Sequence, residues 1–375
     1  RSSSSAASDV YKRQALTDLY TIKPENSEWQ VDETITAIFN WEYSDERKDL
    51  LSLYSKGKKQ QWDAEHRIDW SLELDPENPQ QLPEELFPLC GSDLYQKMSR
   101  KEKAELRRHY QAWSNSQFLH GEQGALLCAA KIVQNVPEME AKFYASTQVI
   151  DEARHVEAYK KLLEKFQVSY PMTGPLATLL QQVLQDSRWD MTYLGMQVVI
   201  EGLALAAFAG IRDHAQNPLA AQVNAYVMQD EARHVAFGRL ALREYYPHLS
   251  AGERAEREEF LVEACYLMRD RFSASEVWDN FGIKEAEWKD HITNSEGMQL
   301  FRNHLFSRIV PVVKDIGLWG EKVTQAYEDM GVMAYAAIDV DALQDHDDQV
   351  ARDYDARATH IEEIIEKGRE STAAE

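Results

Sequence analysis

The sequence predicts an all-α protein built on a four-helix bundle, and three observations carry that prediction. The pentapeptide Asp-Glu-Ala-Arg-His occurs twice, at 151–155 and at 230–234, with the copies 79 residues apart. Each copy has a glutamate 30 residues upstream, Glu122 before Glu152 and Glu201 before Glu231. Apolar residues recur at helical spacing around these positions, and no stretch alternates as a half-buried strand would.

The elements follow in order. Residues 1–14 (RSSSSAASDVYKRQ) are Ser/Ala-rich, resemble translated adapter sequence, and are read as an artefact, which leaves the natural N-terminus open. Residues 15–98 are expected to wrap the bundle: Trp41, Tyr43, Leu50, Leu51 and Tyr54 suggest a short helix. The aromatics there and at Trp62 and Trp70 argue for packing on a core. Residues 99–248 are the core. Ser99 and Glu102 form a capping box, and the first core helix runs to about Gln134 with Glu122 on it. Pro137 suits the first turn of the second helix, which runs to about Phe166. Its inward face reads Ala141, Ala145, Gln148, Glu152, His155, Tyr159 and Leu163. The third helix spans about Trp189 to Arg212 with Glu201. Pro218 opens the fourth, whose inward face is Val223, Val227, Glu231, His234, Gly238 and Ala241. Residues 249–375 hold accessory helices, starting from a second capping box at Ser250 and Glu253, and an acidic tail with a weak stripe at Ile361, Ile364 and Ile365.

The spacing can be tested against helix geometry. About 12 residues separate Glu122 from the turn and 15 separate Pro137 from Glu152, roughly 18 and 22 Å at 1.5 Å per residue. An antiparallel pair therefore brings the two glutamates level within about one turn, and the second pair does the same. The 46 residues from His155 to Glu201 suit one long crossover. Residues i and i+3 share a helix face, so Glu152 with His155, and Glu231 with His234, each address one point. A single Glu-x-x-His is commonly a surface ion pair; two copies with matched upstream glutamates are not. Four carboxylates in an apolar core repel one another unless cations intervene. Two divalent ions would balance them, and oxygen with imidazole nitrogen suits iron or manganese better than zinc. Metal-bound histidines donate their other N–H to a carboxylate. Asp230 is therefore expected behind His155 and Asp151 behind His234, with Arg154 and Arg233 holding the aspartates or else forming surface pairs.

Composition narrows the class. The chain has 375 residues, 44% hydrophobic and 28% charged, enough for a sizeable core. The formal net charge of −22 disfavours nucleic acid and anionic membranes as partners. Cys90, Cys128 and Cys265 form no disulfide or zinc pattern, and a cytoplasmic location is expected. The most apolar stretch, Met196 to Gly210, is short for a membrane span and carries Glu201.

On the six residues Glu122, Glu152, His155, Glu201, Glu231 and His234, the chain resembles the ferritin-like, ribonucleotide-reductase-like superfamily of carboxylate-bridged dimetal proteins. The resemblance covers Ser99 to about Tyr246. It implies a ferritin-like four-helix bundle with a dimetal core and flanking helices, two iron ions with a manganese–iron pair as the variant, and O₂ activation. The resemblance also supplies contrasts. In the reductase small subunit a radical tyrosine stands four residues after the first histidine ligand, where Tyr159 lies here. That subunit also uses a C-terminal tyrosine, and none follows Tyr354; its first ligand is usually aspartate, here Glu122. Di-iron amine N-oxygenases carry an extra histidine four residues before the last glutamate; Val227 stands there, which counts against that subgroup. Ferritins are much shorter. Tyr159 reads either as a core tyrosine with a satisfied hydroxyl or as a redox or hydrogen-bonding residue near the cluster. Its counterpart in the repeat is Gly238, and Gln148 and Ala129 align with Val227 and Phe208; inward positions that differ are candidates for the substrate side.

The expected function is a non-haem di-iron oxygenase or oxidase acting with O₂ on a small organic molecule, served by an electron-donor protein. A homodimer is compatible with it. The alternatives are a radical-generating or ligand-binding subunit, and ferroxidase or iron storage.

Overall fold

Every regular element among the described residues is helical, and one isolated bridge, Tyr20 with Ser169, is the only extended pairing among them. The structure is a computed structural model that describes residues 16–23, 28–33 and 35–373, without the side chains of 17 and 357–373. The segment 1–14 and the stripe at Ile361, Ile364 and Ile365 lie outside the described residues or side chains.

Helix α1 (Lys48–Lys59) lies across the bundle. Helix α2 (Arg100–Asn135) starts at the capping box: Ser99 Oγ accepts from the Glu102 N–H while the Glu102 carboxylate accepts from the Ser99 N–H. Helix α3 (Met139–Phe166) ends where Gln167 turns left-handed, at φ 55°. Pro137 does not open α3 as expected. It precedes the N-cap Glu138, and its carbonyl accepts from Asn40 Nδ2 at 2.8 Å, which ties the N-terminal wrap to the α2–α3 corner. Helix α4 (Gly174–Gln185), with Pro175 in its first turn, forms the crossover. Helix α5 (Trp189–His214) and α6 (Pro218–Tyr245) complete the core, with Asn217 capping α6. α2 packs along α3, α5 packs along α6, and the pairs meet where α3 touches α6.

By length and apolar composition α5 could cross a membrane, with a mean hydropathy of 1.8 in its most apolar window, yet 89% of that window is buried among the other helices. A helix that is apolar all round belongs inside. Residues Leu194–Ile200 within it are π-helical, a feature that periodicity did not anticipate.

The accessory region folds onto the same core, which runs without a break from Leu50 and Leu89 to Trp278 and Val310. Helix α7 (Ala251–Asp270) begins at the second capping box. The helical stretch from Glu296 to Val313 is divided into Glu296–Leu305 and Ile309–Asp315. Pro311 explains the break, since it has no N–H to offer the preceding turn and its ring crowds that turn's carbonyl. The N-terminal aromatics behave in two ways. Trp62 and Trp70 pack against the core, whereas Phe39, Trp41 and Tyr43 are exposed, Trp41 by 81%, so aromatic content overstated packing there.

Candidate metal centre

All residues read as inward-facing on α3 and α6 are buried, and the fold brings the six candidate ligand side chains together. Glu122 comes from α2, Glu152 and His155 from α3, Glu201 from α5, and Glu231 and His234 from α6. They fall into two overlapping groups, Glu122–Glu152–His155–Glu231 and Glu152–Glu201–Glu231–His234, with donor atoms within 4.8 Å of one another in each. Glu152 and Glu231 belong to both. His155 Nδ1 lies 3.3 Å from Glu122 Oε2, 3.3 Å from Glu152 Oε2 and 3.0 Å from Glu231 Oε1. His234 Nδ1 lies 3.1 Å from Glu152 Oε1 and 3.4 Å from Glu231 Oε2. Two cations placed there, one in each group, would share Glu152 and Glu231.

The imidazoles are oriented from behind. His155 Nε2–H donates to Asp230 Oδ2 at 3.0 Å and His234 Nε2–H donates to Asp151 Oδ2 at 3.2 Å, crosswise between helices. A carboxylate only accepts, so each Nε2 carries a proton and each Nδ1 is left facing the glutamates. Arg154 donates to both Asp151 and Asp230, the latter at 2.8 Å, and Arg233 donates to Asp230. Both arginines are buried, not surface pairs. The network is closed by residues that sequence reasoning missed. Gln61 donates to Asp151 at 2.7 Å, Trp62 Nε1–H donates to Asp230 at 2.8 Å, and Gln60 accepts from Arg233. These three lie just beyond α1, at least 60 residues from any of the ligands in sequence, and nothing in their spacing marks them.

The donor set fits metal ions on its own chemistry. Buried polar atoms normally have partners, yet Glu152 Oε2, Glu201 Oε2, both Glu231 oxygens and His234 Nδ1 are buried without a hydrogen bond. Burial, and then the neighbouring Glu231, push Glu122 and Glu201 well above the ordinary carboxylate range. Burial also works to raise Glu152, but His234 and His155 outweigh it and hold it low. For His155 burial works to lower the pKa, and Asp230 with the facing glutamates raises it well above normal. Without metal the cluster therefore keeps protons where cations belong. A divalent ion against each Nδ1 would replace them.

Gln148 sits differently from its repeat partner Val227. Its amide donates to Glu152 Oε1 at 3.0 Å and Glu201 Oε1 at 2.8 Å, so it braces the second site rather than lining a substrate space. Tyr159 is fully buried between Phe118 and Phe208, and its hydroxyl donates to Asn224 Oδ1 at 3.1 Å, not to a ligand. Gly238, its repeat counterpart, is where α6 closes on the π segment: a Cβ there would stand 2.5 Å from Gln197 Cβ.

The other face of the cluster borders a narrow cavity of about 20 Å³, where Glu122, Glu201 and Glu231 meet Phe118, Leu176, Met196, Ile200 and Phe208. The histidines and their aspartates take no part in its lining. One side of the site is thus tied to a polar frame and the other to an apolar chamber.

Residues 44–317 match the model of the family described as P-aminobenzoate N-oxygenase AurF. No curated protein sequence matches the chain. Among solved structures, a variant of an R2-like ligand-binding oxidase with anaerobically reconstituted Mn/Fe cofactor is similar at 16% identity and a TM-score of 0.47, covering 74% of this chain and 97% of its own. Another variant, with aerobically reconstituted Mn/Fe cofactor, is similar at 16% identity and a TM-score of 0.44, covering 73% and 96%.

Proposed function

The chain belongs to the p-aminobenzoate N-oxygenase (AurF) family and is a di-iron oxidoreductase that uses O₂; from that premise we propose how its own residues serve the reaction. Glu122, Glu152, His155 and Glu231 would hold one metal and Glu152, Glu201, Glu231 and His234 the other. When bound, the metals supply reductive activation of O₂. The protein keeps the imidazoles in one tautomer through Asp151 and Asp230, fixes Glu201 through Gln148, and presents three ligand glutamates to a chamber that excludes bulk water. The substrate is a small molecule with an apolar body, and the family's name makes an aryl amine the first class to test. Departure from the extra histidine at Val227 did not remove the chain from the family, which corrects that sequence-based exclusion. The residue at this place is apolar and buried, so this chain offers six ligands where that pattern offers seven.

The observation that carries this reading is the pair of donor groups sharing Glu152 and Glu231 beside an apolar cavity. Tyr159 serves as a wall for Phe208 and Phe118 rather than as a ligand. An electron-donor protein and a reducing compartment complete the proposal, the latter because all three cysteines are unpaired. The test is iron-loaded protein supplied with a chemical reductant, O₂ and a panel of aryl amines. We expect two irons per chain, substrate-dependent O₂ uptake and oxidised products by mass spectrometry. One metal per chain, or O₂ uptake indifferent to every substrate, would refute it.

A further inference from the structure

A row of aromatic rings joins the metal centre to the surface. The Tyr144 ring on α3 lies edge-on to His234, 6.5 Å between ring centres. Phe237 on α6 follows at 4.5 Å from Tyr144, and Tyr193 on α5 at 4.9 Å from Phe237. Trp189, one helical turn before Tyr193, is 5.6 Å from it, and Tyr245 at the end of α6 is 4.7 Å from Trp189. Tyr144, Phe237 and Tyr193 are fully buried, whereas Trp189 and Tyr245 are half-buried and reach solvent. Packing does not explain the residue types. The Tyr144 and Tyr193 hydroxyls are buried and bond to nothing among the described residues, and a buried hydroxyl without a partner costs stability that phenylalanine would not. What tyrosine and tryptophan add is a ring that gives up an electron far more readily than phenylalanine does. A phenol gives up its electron easily when its proton can pass to a bonded base. With no such base the electron must leave alone, and only a strong oxidant can force that. Two other rings near the cluster are poorer exits. Trp62 holds the Arg154 guanidinium 4.7 Å from its ring, and a positive charge there opposes removal of an electron. Tyr159 meets the rings of Phe118 and Phe208, which offer no onward step.

We propose that the row from Tyr144 to Trp189 is an escape route for oxidising equivalents, discharging the metal centre when it has reacted with O₂ and no substrate is bound. This rests on the oxidoreductase reading of the centre and adds a means of protecting its ligands. One electron passes from the Trp189 indole through Tyr193 and Tyr144, with Phe237 as the bridge between the two phenols, to the oxidised centre, which is reduced by that electron. The oxidised indole releases its Nε1 proton to solvent. A small thiol then returns a hydrogen atom to Nε1, and two thiyl radicals combine as a disulfide. Two passages therefore consume two thiols, deliver two electrons and two protons, and leave the protein unchanged. The unpartnered phenols set a threshold: they are inert toward weak oxidants and conduct only when the centre is strongly oxidising.

The test starts from iron-loaded protein, reduced once without O₂ and then exposed to O₂ with neither substrate nor thiol. The stranded indole radical takes up oxygen, and peptide mass spectrometry reads the mass gain. It should fall on Trp189 or Tyr245 and spare Trp41, although Trp41 is 81% exposed. Added thiol should erase it. Tyr193→Phe keeps the ring, removes a hydroxyl that bonds to nothing and breaks the row. It should keep two irons per chain and an unchanged or higher Tm, and lose the mark at Trp189 and Tyr245, with oxidation moving inward to Tyr144. A merely structural Tyr193 would shift Tm and leave the mark in place. A mark on Trp62 or Trp41 instead, or a Trp189 mark that survives Tyr193→Phe, would overturn the proposal. Should Tyr193→Phe fail to fold, Tyr144→Phe, whose lost hydroxyl is equally unpartnered, is read by the same criteria. Ferric protein treated with hydrogen peroxide supplies an oxidised centre without O₂ uptake. A Trp189 mark in that arm from a protein that consumes no O₂ would refute the oxidase reading alone, and no mark in either arm overturns the escape route.

Discussion

Glu152 and Glu231 differ from Glu122 and Glu201 in a way that can be measured. Each of the first two belongs to both donor groups, and each of the second two to one. Glu152→Ala and Glu231→Ala should therefore lose both metals, while Glu122→Ala and Glu201→Ala should each retain roughly one. Metal analysis of the four purified variants decides this, and uniform loss of one metal would contradict the bridging geometry. The identity of these residues was legible because a repeated spacing fixed it. The satisfaction of Tyr159 by Asn224 was not, since the two lie on different helices and only packing brings them within 3.1 Å. The crosswise pairing of Asp151 and Asp230 with the histidines was legible, because the duplication places each aspartate one residue before a ligand on the facing helix. The reach of Arg154 to both aspartates was not.

At the level of elements, the close approach of α6 to α5 rests on Gly238. The added methyl of Gly238→Ala would stand 2.5 Å from Gln197 Cβ, too near for either helix to remain in place. Overpacking of this kind costs roughly 1–3 kcal/mol, and Gln197 also donates to Gln148, which braces Glu201. We expect a lower denaturation midpoint and weakened binding of the second metal; unchanged stability would place the glycine outside any constraint. The π segment ends just before Glu201, so the register of that ligand depends on one wide turn. Such turns recur at functional sites. The sequence gives no periodic sign of it, because an apolar helix buried on every side shows no preferred face.

His109 links elements as well. Its Nδ1 is 2.8 Å from the Tyr170 hydroxyl, its ring meets Phe281 edge-on, and burial followed by Arg108 lowers its pKa to about 4. The unfolded chain binds a proton near pH 6.5 that the folded chain refuses until about pH 4. Stability at this residue is thus intact above pH 6.5 and falls as the pH drops toward 4. His109→Gln should flatten that portion of the Tm-against-pH curve, measured as the difference from wild type. Parallel curves would show that His109 does not titrate between the two states.

For the whole molecule, the metal centre is a linkage between ligand and fold. Four helices each contribute a carboxylate to one buried point, so metal binds the folded chain and stabilises it by mass action, about 2.7 kcal/mol at a hundredfold excess over Kd. Removal of metal with a chelator should lower Tm by roughly 5–10 °C, and re-addition of ferrous iron under anaerobic conditions should restore it. A Tm indifferent to metal would mean that the four helices pack equally well around protonated carboxylates. The C-terminal region shares in this frame. Arg239 on α6 is buried and pairs with Asp315 and Asp341, and Arg308 pairs with Asp347, so the last helix (Val340–Ala373) is fastened to the core helix that carries Glu231 and His234.

The sequence by itself determined the all-α class, the four core helices, their caps and the six residues at the centre. These are properties of local spacing: capping boxes, prolines at helix starts, and a duplicated motif whose period matches antiparallel helices. Only the tertiary structure decided which glutamates are shared, that Gln60, Gln61 and Trp62 close the frame behind the histidines, that Pro137 ties down the N-terminal wrap, and that Tyr144, Phe237, Tyr193 and Trp189 line up from His234 to the surface. These depend on contacts between residues far apart in the chain. No local preference encodes such contacts, because burial and the pairing of buried charge are set by where whole helices come to rest.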